Sequence, residues 1–129
     1  MVRSVLAVIA GYLVFAVSAI LLFRLSGHDP HAPAETGFVI VTILYGMFFA
    51  TLAGFLAALL GKRFEMEHAL AVASLIAALG AASLLASVKS GAIWTQLAAI
   101  LIIAPCAMLG GHLRQLQRRR QLKTRAASR

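Results

Sequence analysis

Four long hydrophobic runs dominate the chain. Uncharged apolar stretches occupy residues 5–23, 37–61, 69–88 and 91–111, with short polar clusters between them. Each run is close to, or longer than, the roughly 20 residues a helix needs to cross a hydrocarbon core about 30 Å thick. In lipid the backbone must satisfy its own hydrogen bonds, so runs of this kind predict helices. The expected fold class is therefore all-α. It is a polytopic membrane protein with four transmembrane helices, at approximately 4–25, 37–61, 67–88 and 91–113, arranged as two antiparallel hairpins.

The breaks between the runs carry turn chemistry. Residues 26–36 (SGHDPHAPAET) hold two prolines, a glycine and both carboxylates of the first half. Gly61, Lys62 and Arg63 close the second run with a glycine and two cations, as a helix C-terminus often does. Glu65 and Glu67 then fall near the start of the third helix, where the helix dipole favours anions. A short connection around Lys89, Ser90 and Gly91 makes the third and fourth helices a tight hairpin.

Composition supports the same picture. The 129 residues are 61% hydrophobic and 12% charged, against roughly 25% charged in soluble domains. A chain this short has a large surface for its volume, and with so few charges that surface must face lipid. The length fits a single four-helix transmembrane domain over residues 1–129, ending in a basic tail at 114–129. Cys106 is the only cysteine and can form no intramolecular disulfide.

The basic residues set the orientation. Arg3, Lys62, Arg63, Arg114, Arg118, Arg119, Arg120, Lys123, Arg125 and Arg129 fall on one side, and only Arg24 and Lys89 on the other. This predicts an N-in, C-in protein with both termini cytoplasmic and Asp29 outside. The first run is expected as an uncleaved anchor rather than a signal peptide. It exceeds the usual 7–15 apolar residues, and Arg24 intervenes before the small residues Ala32, Pro33 and Ala34.

Lipid is as apolar as leucine, so membrane helices associate through close packing at small residues. The second run carries such a ridge at Gly46, Ala50, Gly54 and Ala58. The third repeats it at Ala69, Ala73, Ala77 and Ala81, flanked by a parallel row of Ser74, Ala78, Ala82 and Ala86. These ridges serve either packing within the chain or, through one of them, a homo-oligomer. The third helix has more small faces than one neighbour can use. Pro105, inside the fourth run, predicts a kink through its missing N–H and its clash with the Leu101 carbonyl.

Candidate chemistry is sparse. Every carboxylate (Asp29, Glu35, Glu65, Glu67) lies in a connection or at a helix end, and the polar side chains within the runs are uncharged, among them Gln96, Thr95 and the hydroxyls of Tyr12, Ser18, Thr42, Thr51, Ser74 and Ser83. A proton-coupled exchanger of the small multidrug type depends on an acid in its first helix, and this first run has none. Arg24 is expected to snorkel to the headgroups or to pair with Asp29 or Glu35, and Trp94 to anchor the fourth helix at the interface. His28, Asp29, His31 and Glu35 are donors suited to zinc or another divalent first-row metal, although a structured turn competes with that reading. His68 and His112 are expected as interfacial residues.

The tail carries seven cations and no acid. With Leu113, Leu116 and Leu122 on it, the fourth helix is expected to run on past the membrane. Arg118, Arg119 and Arg120 should meet anionic lipid, each worth roughly 1 kcal/mol near such a surface. The tail has no aromatic residue for nucleic-acid readout. No nucleophile–base arrangement or phosphate loop is visible, so no enzyme and no cofactor are expected.

At GYLVF (11–15), LSGHDPHAP (25–33), YGMFFA (45–50) and GFLAALLGKR (54–63) the chain resembles small bacterial four-helix inner-membrane proteins of unknown function with an Asp-Pro-His-Ala-Pro outer loop. The resemblance implies a bacterial plasma-membrane location and supplies no activity. The leading expectation is a structural or accessory protein that packs with itself or with a larger membrane partner. A small dimeric transporter or pore is the alternative, and outer-loop metal binding a third.

Overall fold

The computed structural model describes residues 2–61, 64–88 and 93–128. Four helices are long and apolar enough to cross a membrane: α1 (Val2–Ser26), α2 (Thr36–Gly61), α3 (Glu65–Ser87) and α4 (Trp94–Ala127). Among the described residues there is no strand. The expected turn residues Lys62 and Arg63, and the connection at Lys89, Ser90 and Gly91, lie outside the described residues, as does Arg129.

Packing radiates from α2 and α3. These two touch each other, α1 packs on both, and α4 packs on both. The core is made of small side chains: Ala50, Ala53 and Ala57 of α2, Val72, Ala73 and Ile76 of α3, and Ile103, Ala104, Cys106 and Ala107 of α4. Only Ala7, Gly11 and Ser18 of α1 are buried, so α1 is the outlying helix.

Backbone meets backbone where α2 crosses α4. A Cβ on Gly54 would overlap the Ala107 carbonyl oxygen, and a Cβ on Gly110 would overlap the Thr51 carbonyl oxygen. The α2 ridge expected from Gly46, Ala50, Gly54 and Ala58 is thus consumed inside the bundle, where all four are buried. Ala73 of α3 is buried too, whereas Ala77 is half-buried and Ala81 exposed.

Around Pro105 the helix widens. Residues Ala99–Ile103 form a π turn, closed by the Ala104 N–H donating to the Ala99 carbonyl five residues back. The expected kink site is therefore a π bulge, which gives the proline ring room where an α-helical carbonyl would clash. The Cys106 thiol donates to the Ile102 carbonyl at 3.2 Å in the same turn. Beyond it α4 continues unbroken to Ala127. Its 34 residues span about 51 Å, about 20 Å more than a hydrocarbon core.

Several hydroxyls within the spans donate to backbone carbonyls, whereas the buried Thr42 hydroxyl has no hydrogen-bond partner. Ser18 Oγ donates to the Phe15 carbonyl at 2.7 Å and Thr51 Oγ1 to that of Met47 at 2.8 Å, while Tyr45 reaches across to the Ser18 carbonyl at 3.1 Å. Ser and Thr commonly return a hydrogen bond to the preceding turn, which removes the penalty for an unpaired polar group in lipid.

Candidate functional site

At one end of the bundle the 27–35 connection folds back over the ends of α1, α3 and α4. Gly27 starts it in a left-handed conformation (φ 70°), which glycine adopts without Cβ strain. Asp29 then forms a turn: its carboxylate accepts from the His31 N–H at 2.8 Å, and its carbonyl from the Ala32 N–H at 3.2 Å. Two side chains from the start of α4 bind this turn. Thr95 Oγ1 donates to the Pro30 carbonyl at 2.7 Å, and the Trp94 indole N–H to the Ala32 carbonyl at 3.1 Å. Trp94, expected as a lipid anchor, is a strut between α4 and the loop.

The four expected metal donors do not come together. The His28 ring stacks on Phe38, with centroids 3.8 Å apart and planes 12° apart, and its Nδ1 lies 3.0 Å from the Ser26 carbonyl. His31 points the other way, its Nε2 3.1 Å from Ser83 Oγ on α3. Only the His31–Asp29 pair is close, at 3.5 Å. Among the described residues no group of three or more His, Cys, Asp and Glu side chains is placed to hold a metal ion. The His28 ring is held by Phe38 of α2 and the His31 ring by Ser83 of α3, so the two are engaged by different helices.

Beneath the loop a groove of about 400 Å³ opens between α1, α3 and α4. Its polar members are Arg24, His31, Ser83, Thr95 and Gln96. Gln96 is 4% exposed and its Nε2 donates to Ser83 Oγ at 3.4 Å, so His31, Ser83 and Gln96 form one polar chain across two helices and the loop. Ser83, Thr95 and Gln96 were visible in the sequence as polar residues in apolar runs. Their convergence was not, because it depends on how the helix ends face one another. Arg24 is exposed and pairs with neither Asp29 nor Glu35.

The opposite end is organised by charge and by one histidine. Glu65, 7% exposed in the first turn of α3, accepts from the Arg118 guanidinium at 2.6 Å. Arg118 is therefore engaged within the bundle, while Arg119 and Arg120 are exposed. Arg3 Nε donates to the Leu60 carbonyl at 3.0 Å, tying α1 to the end of α2. His68, expected at the interface, is only 6% exposed and lies against Gly61. Its Nδ1 is 2.9 Å from the Phe64 carbonyl, which can only accept, so Nδ1 carries the hydrogen. His68 also lines a second groove, of about 470 Å³, between α1 and α3.

No family model matches the chain, and comparisons with curated proteins and with solved structures find no match. The functional reading therefore comes from the geometry alone.

Proposed function

We propose that this is a structural or accessory membrane protein that packs with itself or with a larger membrane partner through α3. On this reading it lies in a bacterial plasma membrane as two antiparallel hairpins with both termini cytoplasmic. The distribution of basic residues supports that orientation.

One observation carries the proposal. The α3 row Ser74, Ala78 and Ala82 is exposed, although rows of this kind are what membrane helices use to meet one another. The contrast with α1 sharpens it. The outward face of α1 is bulky, with Leu6, Ile9, Leu13, Val17 and Ile20 each at least 45% exposed, as suits contact with acyl chains. The α2 ridge is already occupied by α4. Among the described residues, α3 therefore offers a row of small exposed side chains that a second helix backbone can approach.

Replacing Ala78 and Ala82 together by leucine tests this without touching the core. Crosslinking in native membranes followed by mass spectrometry should show a homo-oligomer or a larger complex for the natural chain and its loss in the variant. A monomer with no attached partner, or a complex unchanged by both leucines, would refute the reading. Gly54→Leu is unsuited to the purpose, because it would break the α2–α4 contact within each molecule.

A further inference from the structure

We propose that the groove under the 27–35 loop is a binding site for one anionic phospholipid, with its phosphate at Arg24 and an acyl chain between α1, α3 and α4. The chemistry is divided in the way such a molecule is. At the mouth stands the Arg24 guanidinium, a fork of donors whose geometry matches two phosphate oxygens. All four carboxylates of the chain are described, and none lies within 4.0 Å of it. Asp29 is engaged by His31 instead, and Glu65 by Arg118. A cation left without a protein counter-ion at the end of a membrane helix favours an anion from the bilayer.

The interior of the groove supplies the rest. The chain from His31 through Ser83 to the buried Gln96 places polar groups along the groove, where a bound lipid's glycerol esters would find hydrogen-bond partners. Ala19, Ile20 and Phe23 of α1 face Gly80 and Ala99 across an apolar trough suited to a hydrocarbon chain. The roof is fixed, since Thr95 and Trp94 hold the loop to α4. A free phosphate ion would use the mouth and leave the trough empty. The groove shares no residue with the α3 row, so its failure as a lipid site would leave the proposed function standing.

Trp94 provides the assay, being the only tryptophan. It lies at the loop end, about 36 Å of helix from Arg118, so lipid bound by the basic tail does not reach it. The protein is reconstituted in phosphatidylcholine vesicles with increasing phosphatidylglycerol carrying a nitroxide high on its acyl chain. A parallel series uses nitroxide-labelled phosphatidylcholine. Quenching of Trp94 should show about a tenfold preference for phosphatidylglycerol, the size of one charge-assisted hydrogen-bonded contact. Arg24→Gln should abolish that preference, and Ala19→Phe should reduce quenching by both lipids. Combined Arg119→Gln, Arg120→Gln and Lys123→Gln should change neither. Equal quenching of the natural protein by both lipids, a preference that survives Arg24→Gln, or displacement of the labelled lipid by excess inorganic phosphate would each overturn the assignment.

Discussion

Replacing Gly54 by alanine adds a single methyl group where the backbone of Ala107 already stands. The new atom would lie 2.6 Å from the Ala107 carbonyl carbon and 2.9 Å from its Cα, with the oxygen nearer still. Ordinary carbon contacts are about 3.5–4.0 Å, so α2 and α4 must separate by about 1 Å or tilt. Neither backbone can rotate out of the way as a side chain would. A gap of 0.5–1 Å forfeits about a quarter to a half of each dispersion contact across the interface. The residues affected include Ala50, Ala53, Ala57 and Ile103, the centre of the core. Overpacking of this kind costs about 3 kcal/mol, and alanine's better helix propensity offsets at most about 1 kcal/mol. The expected net loss is about 2 kcal/mol, a shift of about thirtyfold in the unfolding equilibrium. Gly37→Ala is the matched control, because a Cβ there meets nothing within 4 Å. It should be neutral or stabilising by up to about 1 kcal/mol. Equilibrium unfolding in mixed detergent and sodium dodecyl sulfate micelles, followed by helical circular dichroism, measures both. Two variants within about 0.5 kcal/mol of each other would refute the backbone contact as the determinant of the α2–α4 crossing.

Two further outcomes test the ends of α4. Arg118→Gln leaves the Glu65 carboxylate buried beside a neutral partner and should lower stability by about 1–2 kcal/mol, less than for a fully buried pair because the arginine is 47% exposed. Adding Glu65→Gln should recover part of that loss; additive losses in a double-mutant cycle would show that the pair is not coupled. Pro105→Ala should let the π turn close to an α turn, rotating the start of α4 by about 100° and drawing Thr95 and Trp94 away from the loop. Amide exchange at His31 and Ala32 would then accelerate and Trp94 emission would change. Unchanged exchange and emission would mean that packing of Ile103 against Gly46 holds the bulge without the proline.

The helices were legible because lipid imposes so few solutions: a run of 20 apolar residues must be helical. The existence of an α2 ridge followed from its spacing of four. Which ridge faces inward was a different kind of question. The α2 and α3 ridges look alike in sequence, yet the crossing with α4 at Gly54 and Gly110 buries the whole α2 ridge, whereas the α3 ridge is buried only at Ala69 and Ala73. The 27–35 loop shows the same limit. Four potential metal donors within eight residues suggested a site, but donor identity does not fix direction, and the stacking of His28 on Phe38 sends that ring away from His31. The ion pair between Glu65 and Arg118 joins residues 53 apart, and no local pattern announces it. Pro105 predicted a distortion, but not that it takes the form of a π turn in a helix held at both ends.

That double fixation gives the bundle a division of labour. The α4 helix is bound to the loop through Thr95 and Trp94, to α3 through Arg118, and to α2 by direct backbone contact in between. It is therefore scaffold rather than moving part. The α3 helix differs along its length, since its N-terminal half is buried against that scaffold while its exposed row continues to Ala82, next to Ser83 of the groove. If a partner helix occupies the row and a lipid occupies the groove, the two border each other at consecutive residues. Any coupling of their binding free energies runs through α3, and by linkage it is reciprocal: each changes the affinity for the other by the same factor.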